Sequence, residues 1–228
     1  MALAGAAVFP PLAVAAPLLL DPNLAVRTVA SGLIQPTGAT FIGANDMFVL
    51  EKASGRVQRV VGGVVQGTAL DLAVNSASER GLLGMALSPT FATDSAVYIY
   101  WTESSSGADS TVISETPLLG NRVDRFLWNA GTGTLALDRN IVRLRARQTD
   151  NVEVPGHIGT RNATEAGNHN GGVLRFGADG KLYVMVGDVG RRGWLQNLPN
   201  GPFTTPPFLD DTFGGPAPDN AHLSGGIL

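Results

Sequence analysis

Gly172-Val173-Leu174-Arg175-Phe176-Gly177-Ala178-Asp179-Gly180-Lys181-Leu182-Tyr183-Val184-Met185-Val186-Gly187-Asp188 reads as a β-hairpin. Val173 to Phe176 is one strand, Gly177 to Lys181 a tight turn with Asp-Gly at its tip, and Leu182 to Val186 the returning strand. Asn168-His169-Asn170-Gly171 leads into it. Antiparallel pairing therefore brings His169, before the first strand, and Asp188, after the second, to the same end of the sheet. A histidine and an aspartate held together in that way form an oriented general base. For an isolated hairpin the plainer reading is favoured: His169 as a loop residue bonding backbone, Gly187-Asp188 as a turn.

The surroundings of this hairpin are those of an all-β protein. The 228 residues are 44% hydrophobic and 15% charged, as in a compact folded chain. With 29 Gly and 14 Pro, turns are frequent, and the apolar runs between them are short and rich in Val, Leu, Ile and aromatics. A net charge of -3 and no Lys/Arg cluster argue against nucleic-acid binding. The absence of cysteine removes disulfides, thiolate catalysis and Cys-ligated zinc, and fits either redox compartment.

Residues 1–20 form a candidate signal-peptide remnant or apolar linker, followed by one domain over 21–228. Ala2 to Leu20 carries no charge, and Ala13-Val14-Ala15 before Ala16-Pro17 is like a small-residue cleavage site. The positive segment of a signal is missing and Pro10 and Pro11 interrupt the run, which is too broken for a membrane span. Export to the periplasm or the exterior is favoured over a linker.

After Asp21 a unit recurs. Gly38-Ala39-Thr40-Phe41 leads through a Gly43-Ala44-Asn45-Asp46 turn to Met47-Phe48-Val49-Leu50-Glu51, then to Gly55-Arg56-Val57-Gln58-Arg59-Val60-Val61. Gly84-Met85-Ala86-Leu87 leads to Val97-Tyr98-Ile99-Tyr100 and, after an insertion, to Asn121-Arg122-Val123-Asp124-Arg125-Phe126. The hairpin at Gly172 is the third copy. The first two copies start 46 residues apart, close to the roughly 40–50-residue period of propeller blades. The next starts 88 residues on, nearly two periods, so the gap holds either a degenerate blade or long insertions, and the polar stretches Glu103 to Gly120 and Arg147 to Gly167 favour insertions. Such loops gather on one face of a propeller and often build its site. Three copies do not close a ring of the usual 4–8 blades, and Ser224-Gly225-Gly226-Ile227-Leu228 looks like the start of another strand. The reading is therefore the amino-terminal part of a larger propeller.

Other motifs carry less. Ser78-Glu79-Arg80-Gly81, taken alone, is a solvated turn with both charges at the surface. Gly187-Asp188-Val189-Gly190 follows no nucleotide-binding spacing. Asp210, Asp211 and Asp219 lack the spacing of a calcium loop and read as a solvated loop. Asn162-Ala163-Thr164 is a chance-level glycosylation match, and His157 and His222 lack metal-like spacing to His169, so no metal ligand is assigned.

The residues Glu51-Lys52-Ala53-Ser54-Gly55-Arg56, Glu79-Arg80-Gly81-Leu82-Leu83-Gly84-Met85-Ala86-Leu87-Ser88-Pro89-Thr90-Phe91, Asn121-Arg122-Val123-Asp124-Arg125-Phe126, His169-Asn170-Gly171-Gly172 and Phe176-Gly177-Ala178-Asp179-Gly180 with Gly187-Asp188 resemble, in order, the glucose/sorbosone dehydrogenases. The resemblance runs from about Leu24 to the last residue. It implies a six-bladed β-propeller of which this chain holds the first three or so blades. The implied activity is oxidation of an aldose at C1 to its lactone, dependent on pyrroloquinoline quinone (PQQ) and calcium. The partners implied are a sugar and an external electron acceptor. By the same resemblance His169 is the base and Asp188 the residue that orients it. Glu79 and Asn168 match sugar-contacting positions. Asn168 replaces an acid of the family and Gly193 a glutamine, so the resemblance leaves the sugar unspecified. The family's cationic PQQ anchors and most calcium ligands fall beyond Leu228. Two alternatives stand beside this reading: a propeller that serves only as a binding module, and a calcium-dependent six-bladed lactonase, which needs converging carboxylates.

Overall fold

The computed structural model describes residues 19–147, 169–187, 189 and 225–228. These residues form three antiparallel sheets. The first runs β1 (Pro36–Gly43), β2 (Asp46–Glu51), β3 (Arg56–Val61) and β4 (Val64–Asp71), each strand paired to the next. The second repeats that order with β5 (Leu82–Leu87), β6 (Ala96–Thr102), β7 (Asn121–Asn129) and β8 (Thr134–Leu144); a single helical turn, α1 (Phe91–Asp94), joins β5 to β6. The third holds β9 (Val173–Phe176), β10 (Leu182–Val186) and the short β11 (Gly226–Ile227). Strands β1, β5 and β9 lie side by side, so the sheets are arranged as three successive blades of a propeller about their first strands.

Local chemistry explains the turns. Gly62 and Gly63, both at positive φ, make the two-residue connection between β3 and β4. Asn45 takes the left-handed conformation before β2. At the β9–β10 tip, Gly180 has positive φ and Asp179 Oδ1 accepts the Lys181 N–H at 3.1 Å.

Packing between blades explains why β6 shows no alternation of exposure. Its residues alternate in direction as in any strand. Val97, Ile99 and Trp101 join Phe48, Leu50 and Val57 in a core between the first two sheets. Tyr100 joins Leu174, Val184 and Val186 in a second core between the last two, with Tyr98 packed at its margin. Both faces of β6 are thus covered, and the strand reads as a continuous apolar run. On the far side of the first sheet, Met47, Val49 and Val60 are covered by Ala30 and Leu33 of the segment before β1.

The structure corrects the expected blade. Each of the first two sheets has four strands, where the sequence repeat suggested three. β4 and β8 lie at sheet edges, carry no aromatic residue and are offset by bulges opposite β3 and β7. Among the described residues, the long spacing between the second and third copies holds one blade, with the 103–120 insertion between β6 and β7. The stretch ending at Leu228 supplies the third strand of the last sheet, pairing Met185 with Ile227.

Candidate functional site

Two turns meet where the second and third blades adjoin. The first leads from blade one into β5 and carries Glu79. Its direction is set by Ser78 at φ 56° and Gly81 at φ 128°. Gly81 has no freedom to be larger, since a Cβ there would stand 2.4 Å from the Lys52 carbonyl. Glu79 is exposed, but its neighbour Arg80 is only 1% exposed, which corrects the expectation of two surface charges. Arg80 Nε donates to the Ala146 carbonyl at 2.8 Å and Nη1 to the Ala77 carbonyl at 3.2 Å. Burial, and secondarily the charge of Arg147, push its pKa down to about 10, so it remains cationic at neutral pH.

The 103–120 insertion braces this turn. Ser76 N–H donates to the Ser110 carbonyl at 2.8 Å and Ser110 N–H to the Val74 carbonyl at 2.9 Å. Val74 N–H also reaches Asp109 Oδ1 at 3.1 Å, and Asn75 Nδ2 the Val112 carbonyl at 2.8 Å. An insertion read from its polarity as a loop is in fact laid against the residues that lead to Glu79.

The second turn carries His169 and repeats the same design. His169 is exposed, in the left-handed conformation at φ 57°, and its neighbour Asn170 is 1% exposed. Asn170 Oδ1 accepts from Asn121 Nδ2 at 2.8 Å, and its carbonyl accepts from the Tyr100 hydroxyl at 2.8 Å. Burial pushes the Tyr100 phenol well above its ordinary value, so it is a neutral donor. Close glycine contacts complete the seat. A Cβ on Gly187 would lie 1.8 Å from the His169 carbonyl, and one on Gly84 1.8 Å from the Gly172 carbonyl. The two ends of the hairpin thus converge at His169 and Gly187, as antiparallel pairing requires.

The turns are joined directly: the His169 backbone N–H donates to Glu79 Oε2 at 2.5 Å, across 90 residues of sequence. Sequence reasoning placed Glu79 and His169 in one site but not this bond, because nothing local signals it. It also passed over Asn121, which anchors Asn170, and Glu51, which is 2% exposed. The Glu51 carboxylate accepts from Ile34 N–H at 2.8 Å and Ser54 Oγ at 2.9 Å, an internal brace with no open face for chemistry. Asn168, Asp188, Gly193, Asp210, Asp211, Asp219, His157, His222 and Asn162 lie outside the described residues.

His169 borders an open cleft of about 450 Å³, lined also by Gly171, Met185 to Gly187 and Gly225 to Ile227. Among the described residues this lining contains no Lys or Arg, and no group of three or more His, Asp or Glu converges. A quinone tricarboxylate needs cationic anchors and calcium needs several oxygen ligands. The described residues fit neither group. No helix among the described residues is long and apolar enough to cross a membrane.

Sheets packed as successive blades about their first strands define the chain as part of a β-propeller. It matches the glucose/sorbosone dehydrogenase family over residues 33–202 and belongs to that family. Among solved structures it is similar to an oxidoreductase described as a glucose dehydrogenase from Thermus thermophilus, at 30% identity and a TM-score of 0.56, over 75% of this chain and 43% of that one. It is also similar to the PQQ-bound aldose sugar dehydrogenase of Streptomyces coelicolor, at 26% identity and a TM-score of 0.54, over 89% of this chain and 46% of that one. The apo aldose sugar dehydrogenase of Escherichia coli shares the fold at 21% identity and a TM-score of 0.52, over 75% of this chain and 43% of that one. The chain spans less than half the length of each of these structures.

Proposed function

We propose that the complete protein oxidises an aldose at C1 to its lactone, with His169 as the base that accepts the C1 hydroxyl proton. The observation that carries this reading is the placement of His169: exposed at the cleft, with its backbone fixed by Glu79 and its neighbour Asn170 locked into blade two. Oxidising the hydroxyl carbon removes one hydride and one proton. PQQ, as in the Streptomyces coelicolor structure, supplies the hydride acceptor when bound. Its anchors, and calcium ligands, are assigned to residues other than those described.

A neutral imidazole nitrogen accepts a proton, which is the chemistry the step requires of His169. Asp188 is assigned to accept from one ring nitrogen, fixing the tautomer and stabilising the imidazolium as it forms. Glu79 and Asn168 are assigned to the sugar, and an external acceptor reoxidises the cofactor. Export to the periplasm or the exterior is part of the same proposal, resting on residues 1–20. Amino-terminal sequencing of native protein should find a start near Ala16 or Pro17; intact residues 1–10 would remove it.

The test is dye-coupled oxidation of a panel of aldoses by the complete protein supplied with PQQ and calcium. General-base catalysis contributes roughly 10²–10⁴-fold, and His169→Ala should lower turnover by about that factor with quinone absorbance unchanged. Near-normal turnover in a fully loaded variant would refute the assignment. Loss of quinone binding would reassign His169 to a cofactor role.

A further inference from the structure

Lys52 takes no part in the chemistry above, yet it touches the Glu79 turn from several sides. Its Nζ donates to the Ser78 carbonyl at 2.8 Å and to the Ser76 carbonyl at 3.2 Å. Its own carbonyl accepts the Leu82 N–H at 3.0 Å and closes against Gly81. Residue 52 therefore grips the turn at both ends, 76–78 through the side chain and 81–82 through the backbone. Glu79 lies between those grips and bonds the His169 amide.

We propose that Lys52 is a positioning residue of this site: its ammonium clamps the 76–78 carbonyls so that the Glu79 carboxylate meets the His169 backbone N–H and holds that residue in its left-handed conformation. A carbonyl pair satisfied by one cation is drawn toward it, and a turn with Ser78 at positive φ needs such an external hold to persist. The electrostatics agree with the geometry. Burial lowers the Lys52 pKa, and the negative charge of Glu79 opposes that shift, so the carboxylate helps keep the clamp charged. The functional weight of the proposal rests on reading His169 as the base, but the linkage itself does not.

Hydrogen exchange of this chain, read by mass spectrometry at the His169 amide, tests it without any catalytic assay. Lys52→Gln removes the charge and one donor; the His169 amide should exchange on the order of 10-fold faster or more, because a bond to a charged acceptor is lost. The amides of β2 and β6 should keep their protection. In a Glu79→Ala background, Lys52→Gln should add nothing further at His169, since the acceptor is already gone. Unchanged His169 exchange in a folded Lys52→Gln chain, or an equal added effect in the Glu79→Ala background, overturns the proposal. Should Lys52→Gln fail to fold, Lys52→Arg decides: it retains donors for both carbonyls, and His169 protection within a few-fold of the parent is expected. A folded Lys52→Arg chain whose His169 amide exchanges as in Glu79→Ala overturns it. If His169→Ala proves active in the complete enzyme, the base assignment falls while this linkage stands.

Discussion

Asn121 donates from Nδ2 to Asn170 Oδ1 at 2.8 Å, joining the third strand of one blade to the residue beside His169. The same Asn121 amide reaches the Arg145 carbonyl at 2.8 Å, and its oxygen accepts from Thr102 Oγ1 at 2.7 Å. Every polar atom of that side chain is engaged in a fully buried setting. Asn170→Ala should therefore destabilise the fold by about 1–3 kcal/mol, since it leaves a buried amide donor unmatched. A chemical-denaturation double-mutant cycle with Asn121→Ala should show strong non-additivity. Simple addition of the two effects would mean that the pair is not coupled.

The close approach of Gly84 to Gly172 between blades two and three predicts an asymmetry among glycines. Gly84→Ala would drive a Cβ into the Gly172 carbonyl, so β5 and β9 must separate. Such overpacking costs typically ~1–3 kcal/mol and sometimes more. Gly226→Ala meets open space and should shift stability by no more than about 0.5 kcal/mol. Thermal melts of both variants check this, and equal effects would contradict the tight approach.

Much of the fold was legible because its signals are local. The hairpin over 173–186 declares itself by an Asp-Gly turn between β-branched and aromatic runs, and its strand limits match β9 and β10. β4 and β8 were missed because an edge strand faces little core: most of β4 is exposed, so no apolar pattern marks it. The site was legible only in part for a related reason. Glu79 and His169 are chemically conspicuous, whereas Arg80 looks like another surface charge until its carbonyl partner at Ala146, 66 residues away, is in place. The bonds from Glu79 to His169 and from Asn121 to Asn170 span 90 and 49 residues. Long-range partners of this kind leave no trace in periodicity.

Acid should reveal Asp94. Burial alone would raise its pKa, but hydrogen bonds from Ser88 Oγ at 2.6 Å, Ala96 N–H at 2.9 Å and Thr90 Oγ1 at 2.9 Å, aided by Arg125, hold it below the ordinary value. A carboxylate with a depressed folded-state pKa adds stability above its unfolded value, about 3.9, and loses it as pH falls through the folded value. Asp94→Asn should thus be less stable than the parent at pH 6, and the two melting midpoints should converge as the pH is taken down below about 4. A difference that stays constant with pH would rule out the linkage.

Under the function proposed for the complete protein, with PQQ supplied, Glu79 offers the sharpest separation of roles. If it only touches the sugar, substitution moves KM and leaves kcat alone, because the contact is equal in ground and transition states. The bond to the His169 amide adds a second consequence: removing the acceptor releases the backbone that aims the proposed base. Glu79→Gln retains a carbonyl oxygen for that amide, so its main effect should be on KM and on preference among aldoses. Glu79→Ala retains nothing, and kcat should fall as well, by roughly ten-fold or more if the lost bond is worth the ~1.5–3 kcal/mol typical of a charged acceptor. Steady-state kinetics on both variants at matched quinone loading makes the comparison. A Glu79→Ala enzyme with parental kcat and raised KM would assign Glu79 to the sugar alone, and would show that His169 keeps its aim without the carboxylate.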